Sequence, residues 1–169
     1  MERQIPQFAK QLLIEQYGEE IANKIIEGYL KQRAVTLRIN TIKTNKENIK
    51  KKLQEAGVET EDVSWYEDGL IIKNVREEEI KKLDIYESGE IYLQSLSSML
   101  PPIILEPKAG ENILDMAAAP GGKTTQIAAM TQNKAYITAC EKNKIRAERL
   151  KYNLQKQGVG CVNVMLEDA

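Results

Sequence analysis

Histidine is absent from this 169-residue chain, so neither a His-ligated metal site nor an imidazole general base can be built from it. Cysteine is scarce. Only Cys140 and Cys161 occur, far apart and remote from the amino end, which argues against a disulfide framework and for a cytoplasmic location. No apolar run approaches the roughly 20 residues that a membrane helix needs. The opening Met1-Glu2-Arg3-Gln4-Ile5-Pro6 has no apolar signal region. Net charge is nearly absent too, at −1, so no overall bias toward an acidic or basic partner can be read from the total.

What is present is ordinary globular material, 42% hydrophobic and 29% charged, enough for one domain or two small ones. The charge is unevenly placed. Residues 31–52 hold eight bases (Lys31, Arg33, Arg38, Lys43, Lys46, Lys50, Lys51, Lys52) against Glu47 alone. Residues 55–90 hold twelve acids against four bases, and residues 142–156 six bases against Glu148. A nucleic-acid surface needs a local basic patch rather than a basic total. A solvated helix face explains the same runs.

The chain is organised around Asp115-Met-Ala-Ala-Ala-Pro-Gly-Gly-Lys-Thr124. Asn112, Ile113 and Leu114 read as a strand entering it, and Thr125 to Met130 as the first turns of a helix leaving it. Strand, small-residue turn and helix form the unit that binds nucleotide-like cofactors at the carboxyl edge of a parallel sheet. Ala117 to Thr124 would match a P-loop if Ala117 were glycine. That first glycine is missing, and no later apolar strand ends in a convincing Mg²⁺ aspartate. A dinucleotide G-x-G-x-x-G is missing as well. A βα turn without a ligand remains the bland alternative.

Two further strand ends carry acids. Lys134 to Cys140 alternates like a strand and stops at Glu141, where a carboxylate grips a ribose hydroxyl pair. Cys161 to Leu166 reads as a third strand, ending at Glu167-Asp168, where an acid can meet an adenine amino group. A Gly turn and two acids without phosphate-binding groups fit S-adenosyl-L-methionine better than ATP or NAD. Cys140 and Cys161 fall in or beside buried strands and read as packing residues, since nothing near them would lower a thiol pKa.

Upstream, Pro6 starts a helix with Phe8, Leu12 and Leu13 on its apolar face, and Gly18 ends it; Ile21, Ile25, Ile26 and Leu30 mark a second. Core packing accounts for both apolar faces. Val35 to Ile39 is a strand. Thr44-x-x-Glu47 is a capping box for a helix closed by Gly57, with Ile49 and Leu53 inward and Lys50, Lys51 and Lys52 largely outside. Val63 to Trp65 and Leu70 to Lys73 read as strands around Glu67-Asp68-Gly69, Glu77 to Leu83 as a helix and Glu90 to Leu93 as a strand. This is the element order of a ferredoxin-like fold. Ser95 to Ile104 reads as helical, started, kinked or broken by Pro101-Pro102. A last helix, Asn143 to Gln157, turns Ile145, Ala147, Leu150 and Leu154 inward, and Gly158 ends it.

The loop Asp115 to Thr124 closely resembles the cofactor loop of the Sun/Fmu-type RNA (cytosine-5) methyltransferases. Tyr92-Leu-Gln-Ser-Leu-Ser-Ser-Met-Leu-Pro101 resembles the segment leading into that family's catalytic domain. Leu37-Arg-Ile-Asn-Thr-Ile-Lys43 resembles the first strand of its RNA-binding region. The resemblance implies a Rossmann-like α/β methyltransferase core, first half only with about three parallel strands, preceded by a small α+β RRM-like (ferredoxin-like) domain. The divisions are 1–93 and 94–169. It implies that Ala117, Ala118, Ala119, Pro120, Gly121, Gly122, Lys123, Glu141 and Asp168 bind S-adenosyl-L-methionine. The partner it implies is RNA, with bacterial small-subunit ribosomal RNA as the family-level expectation. Arg38, Lys43, Lys50 and Lys51 are the candidate phosphate contacts. Aromatic pairs for base stacking are not evident, with Phe8 the sole phenylalanine; Trp65 and Tyr66 read as core and surface cover. The family's two working cysteines follow its fourth and fifth strands, beyond Ala169, so no catalytic residue and no metal ligand is assigned. The fold places the first core strand centrally with the fourth beside it, which leaves an exposed apolar edge here and an expectation of self-association. A non-enzymatic RNA-binding module with a vestigial cofactor loop and a P-loop-like NTPase are the other readings.

Overall fold

The computed structural model describes residues 5–30 and 34–169. Lys31 and Arg33 of the first basic run lie outside the described residues. The chain divides into two compact units, Met1–Ala34 and Val35–Ala169.

The first unit is α1 (Gln7–Leu30), interrupted at Gly18, whose φ of 77° and ψ of 163° are not helical. Phe8, Leu12, Ile21, Ile25 and Leu30 are exposed. This corrects the expectation that they pack a core. One broken helix has no opposing layer of its own on which to bury a face.

The second unit holds two sheets. The first is antiparallel, in the order β2-β3-β1-β4, built from β1 (Val35–Ile39), β2 (Thr60–Asp62), β3 (Gly69–Ile72) and β4 (Ile91–Leu93). The helices α2 (Lys46–Glu55), α3 (Glu77–Ile80) and α4 (Asp84–Glu87) connect its strands. Leu37, Ile39, Leu70, Ile72 and Ile91 meet Ile49, Leu53, Ile80 and Ile85 in one core. Element order and strand order are those of a ferredoxin-like fold.

Three local expectations change here. The cap of α2 is Asn45, whose side chain accepts from the N–H of Asn48 at 2.9 Å, and not Thr44. An Asn one residue later offers the better-placed acceptor, so no Thr44–Glu47 box is needed. Strand β2 falls three residues before Val63–Trp65, because Tyr66 and Gly69 make the turn hydrogen bonds to Val63 and Tyr66. The helix expected from Glu77 to Leu83 ends early, at Ile80, and a second short helix, α4, follows it from Asp84.

The second sheet is parallel, β5-β6-β7, from β5 (Asn112–Asp115), β6 (Tyr136–Cys140) and β7 (Val162–Met165), linked by α6 (Gly122–Met130) and α7 (Lys144–Gln157). Ala139, Leu150 and Leu154 pack with Ala118 and Ala119; Ile127, Ala128, Ala135 and Ile137 form a second cluster. Ile145 is 82% exposed, which corrects its inward assignment. Ala147, Leu150, Leu154 and Gln157 define the buried stripe of α7, and Ile145 lies off that stripe. Helix α5 (Leu96–Leu105) runs unbroken through Pro101 and Pro102. Pro102 cannot donate to the carbonyl of Ser98, and Gln94 Nε2 takes up that oxygen at 3.1 Å. Ser97, the corresponding acceptor for Pro101, faces solvent.

The two sheets are locked together. On β1 the apolar residues face the ferredoxin-like core while Thr36 and Arg38 face the other way. The Arg38 guanidinium, fully buried, donates through Nη2 to Thr125 Oγ1 at 2.8 Å and through Nε to Gln94 Oε1 at 3.1 Å. Asn40 Nδ2 donates to the carbonyls of Gly89 and Gln157, both at 2.8 Å. Lys43 Nζ donates to the carbonyls of Ser88 and Lys156, both at 2.7 Å.

Candidate cofactor site

Asp115 ends β5 and closes the loop on itself. Its Oδ1 accepts from the N–H of Ala117 at 3.3 Å and its Oδ2 from the Thr124 hydroxyl at 2.7 Å. In a P-loop that hydroxyl holds Mg²⁺; here it is committed to a carboxylate. The loop also docks on the neighbouring strand, through the N–H of Ala118 to the carbonyl of Cys140 at 3.0 Å. The Ala119-Pro120 bond is cis and Gly121 takes φ 105°, a conformation that favours glycine. A side chain at Gly121 would also press on Leu150 Cδ1, at 3.0 Å. Helix α6 starts at Gly122, three residues before the expected Thr125. Its first turn leaves the N–H groups of Gly122, Lys123 and Thr124 without partners inside the helix.

Beside these amides lies a cleft of 220 Å³, walled by the loop and by Tyr92, Gln94, Ser95 and Ser98. A Cβ on Gly122 would stand 3.5 Å from the Tyr92 ring, so glycine keeps this wall thin. Gln94 is held from behind by Arg38 and donates to Gln126 Oε1 at 2.9 Å.

Glu141 follows β6 and is 4% exposed. Its Oε1 accepts from the N–H of Asn143 at 3.0 Å, and its Oε2 lies 3.3 Å from Arg146 Nη1. Arg146 Nη2 donates to the carbonyl of Ala119 at 2.8 Å. Arg146 thus ties the acid to the loop. In the sequence Arg146 is one of the six bases of residues 142–156, and nothing in the local pattern separates it from the solvated bases around it. Asp168 lies beyond β7, exposed and 3.2 Å from Lys142. The register Cys140↔Met165 carries both acids to the same edge of the sheet.

Neither thiol is disposed to attack. Cys140 is buried and Cys161 half-buried, both free, and burial pushes the Cys161 thiol up. Among the described residues no cluster of acids and cysteines is arranged to hold a metal.

The candidate phosphate contacts fare differently. Arg38 is corrected: a fully buried guanidinium under α6 meets no phosphate. Lys43 spends its ammonium on two carbonyls. Lys50 pairs with Asp62 at 2.7 Å, and Lys46 with the same carboxylate at 2.9 Å; the bonds from Lys50 and Lys46 hold the Asp62 carboxyl below its usual range. Lys52 pairs with Glu90 at 2.6 Å. Lys51 has only a loose helical neighbour, Glu55 at 4.0 Å. Trp65 and Tyr66 stack on each other, 6.3 Å between centroids.

Comparisons with known proteins agree with this architecture. Residues 102–169 match the family described as 16S rRNA methyltransferase RsmB/F. Residues 5–77 match the RsmF/B-like methyltransferase ferredoxin-like domain. The chain is 39% identical over 158 residues to the tRNA (cytosine(49)-C(5))-methyltransferase of Pyrococcus abyssi, covering 92% of this chain and 50% of that protein. It is 35% identical over 153 residues to the 25S rRNA (cytosine-C(5))-methyltransferase nop2 of Schizosaccharomyces pombe, covering 90% and 25%. The crystal structure of a methyltransferase homologue from Pyrococcus horikoshii superposes with a TM-score of 0.80 at 32% identity, covering 92% and 50%. The chain therefore spans half or less of the length of these relatives. With β1 to β3 of its ferredoxin-like sheet and its parallel βα core each falling within a matched RsmB/F methyltransferase model, and with relatives named as RNA cytosine-C5 methyltransferases, it belongs to the Sun/Fmu-type RNA (cytosine-5) methyltransferase family.

Proposed function

We propose that this chain supplies the cofactor-binding part, and a portion of the RNA-binding surface, of an S-adenosyl-L-methionine-dependent RNA (cytosine-5) methyltransferase. Residues 1–93 serve RNA and residues 94–169 form the first half of the methyltransferase domain. The observation that carries this is the juxtaposition of free amides at the start of α6, an adjoining wall of alanines, and a buried carboxylate one strand away. These residues fit the cofactor. The amides of Gly122, Lys123 and Thr124 suit its carboxylate. Ala117 to Pro120 allow close approach, Glu141 suits the ribose hydroxyls and Asp168 the adenine amino group. When bound, S-adenosyl-L-methionine supplies a sulfonium methyl group. The residues of this chain bind and orient; no side chain among them is assigned the nucleophile's role.

The comparisons give no support to an NTPase or to a non-enzymatic RNA-binding module with a vestigial cofactor loop. Titration calorimetry separates all three readings. Heat with S-adenosyl-L-methionine and none with Mg²⁺-ATP is expected. The reverse result would establish the NTPase, and silence with both the module.

RNA is the substrate class, and small-subunit ribosomal RNA the narrower choice, supported by the RsmB/F match over residues 102–169. Lys50 and Lys51 remain the proposed outer phosphate contacts. No helix among the described residues is long and apolar enough to cross a membrane, and the free thiols accord with a cytoplasmic setting. Self-association is proposed through β5, which among the described residues pairs with β6 alone and leaves Leu114, and Met116 just after it, exposed.

A further inference from the structure

We propose that a groove between β4 and α7 is a binding site for one nucleotide of single-stranded RNA, adjacent to the strand's position at the cofactor cleft. The inference rests on the RNA-methyltransferase reading above and adds a site to it. RRM-type sheets stack bases on the face opposite their helices. Here Arg38, Thr125 and Gln94 cover the middle of that face with α6. Coverage ends at β4, the edge strand, where Tyr92 points the same way as Arg38 and opposite to Ile91. Tyr92 lines both the cleft and a second hollow of 180 Å³ on the far side of Pro120. A strand entering the cleft has this hollow as its next stop.

The hollow has the chemistry of a nucleotide site. Tyr92 and Tyr86 line it, the Tyr92 ring with the Arg38 guanidinium 5.7 Å from its centroid. Arg149 makes no ion pair or hydrogen bond among the described residues and stands exposed on α7. Lys156 covers the Tyr86 ring at 4.0 Å and pairs with Glu87 at 3.3 Å, while Lys81 at the rim is paired with Glu77 at 2.6 Å. Arg149 is thus the free cation for a phosphate. The floor includes Gln157, 2% exposed, whose Nε2 donates to the carbonyl of Ile91 at 3.1 Å while its Oε1 has no donor. A buried acceptor without a donor calls for one from outside. The N–H groups on a base edge supply it.

The test uses the 169-residue protein and an unstructured ten-nucleotide RNA carrying 4-thiouridine. Crosslinked peptides are mapped by mass spectrometry, and affinity is read by fluorescence anisotropy across a salt series. Adducts on the peptide containing Tyr86 and Tyr92 are expected. Arg149→Glu, an exposed change, should weaken binding about three- to tenfold and flatten the salt slope by about one contact. It should leave S-adenosyl-L-methionine titration unchanged. Adducts confined to residues 46–51, with Arg149→Glu binding like the parent, would overturn the groove. So would the absence of RNA binding at low salt. Either result leaves the cofactor titration, and with it the proposed function, standing on its own measurement.

Discussion

Glu141 is the residue on which the cofactor assignment turns. Its carboxylate is already oriented by the N–H of Asn143 and by Arg146, so it is presented to a ligand in one rotamer. Charge-assisted hydrogen bonds of this sort are worth roughly 1.5–3 kcal/mol. Glu141→Ala should therefore lower S-adenosyl-L-methionine affinity by about ten- to a hundredfold, with Glu141→Gln between the two; calorimetry that finds all three alike would remove the ribose role. Tyr66 makes a separate prediction in alkali. Burial pushes its phenol up to about 12, against a smaller opposing pull from Arg38. The folded state then holds this proton more tightly than the unfolded chain, whose tyrosines titrate near 10. Stability from this group is full below pH 10 and is lost as pH rises from 10 toward 12. Absorbance near 295 nm during alkaline titration should show Tyr66 and Tyr92, both pushed up by burial, ionising late, Tyr66 together with loss of structure; titration of both near pH 10 in the folded protein would contradict the burial argument.

At the scale of elements, the turn between α4 and β4 is decisive. Gly89 adopts φ 72°, and a Cβ there would stand 2.1 Å from the carbonyl oxygen of Lys156. Gly57 has the same φ of 72° with nothing within 4 Å. The pair separates conformational strain from a clash. Gly57→Ala should cost about 1 kcal/mol, the left-handed penalty alone. Gly89→Ala should cost about 2 kcal/mol more, because backbone rather than a flexible side chain must move. Urea unfolding of the two variants measures the difference, and equal midpoints would mean that the two sheets can separate there freely. Prolines 101 and 102 make the complementary point. A helix accepts them in its interior when the freed carbonyl finds Gln94 and when solvent reaches its neighbour.

At the scale of the whole molecule, charges and edges decide behaviour. The basic run and the acidic run fold onto each other: Lys46 and Lys50 meet Asp62, and Lys52 meets Glu90. A uniform positive face on the ferredoxin-like unit is thereby lost. Strand β5 has no partner on its outer edge among the described residues, with Leu114 57% exposed and Met116, just past its end, 65%, the kind of edge that recruits another chain. Light scattering should find the protein larger than a monomer. Leu114→Lys should shift it toward the monomer, since a charge on an edge strand opposes pairing. A clean monomer before the substitution would retire the self-association proposal.

The sequence by itself determined the pieces whose causes are local. The Ala-Ala-Pro-Gly-Gly-Lys turn, the strand endings at Asp115 and Glu141, the break at Gly18, the left-handed stop at Gly158 and the extent of β1 all follow from residues within a few positions of each other, and so they were legible. Tertiary structure decided everything that depends on a distant partner. Arg38 reads as a surface cation until Thr125, 87 residues away, takes its guanidinium. Lys43 reads as a phosphate contact until Lys156, 113 residues away, takes its ammonium. Arg146 reads as one solvated base among six until the carbonyl of Ala119 gives it a place in the site. A side chain's type sets what it can bond to, while the packing of one sheet on the other sets whether water, a ligand or the protein itself supplies the partner.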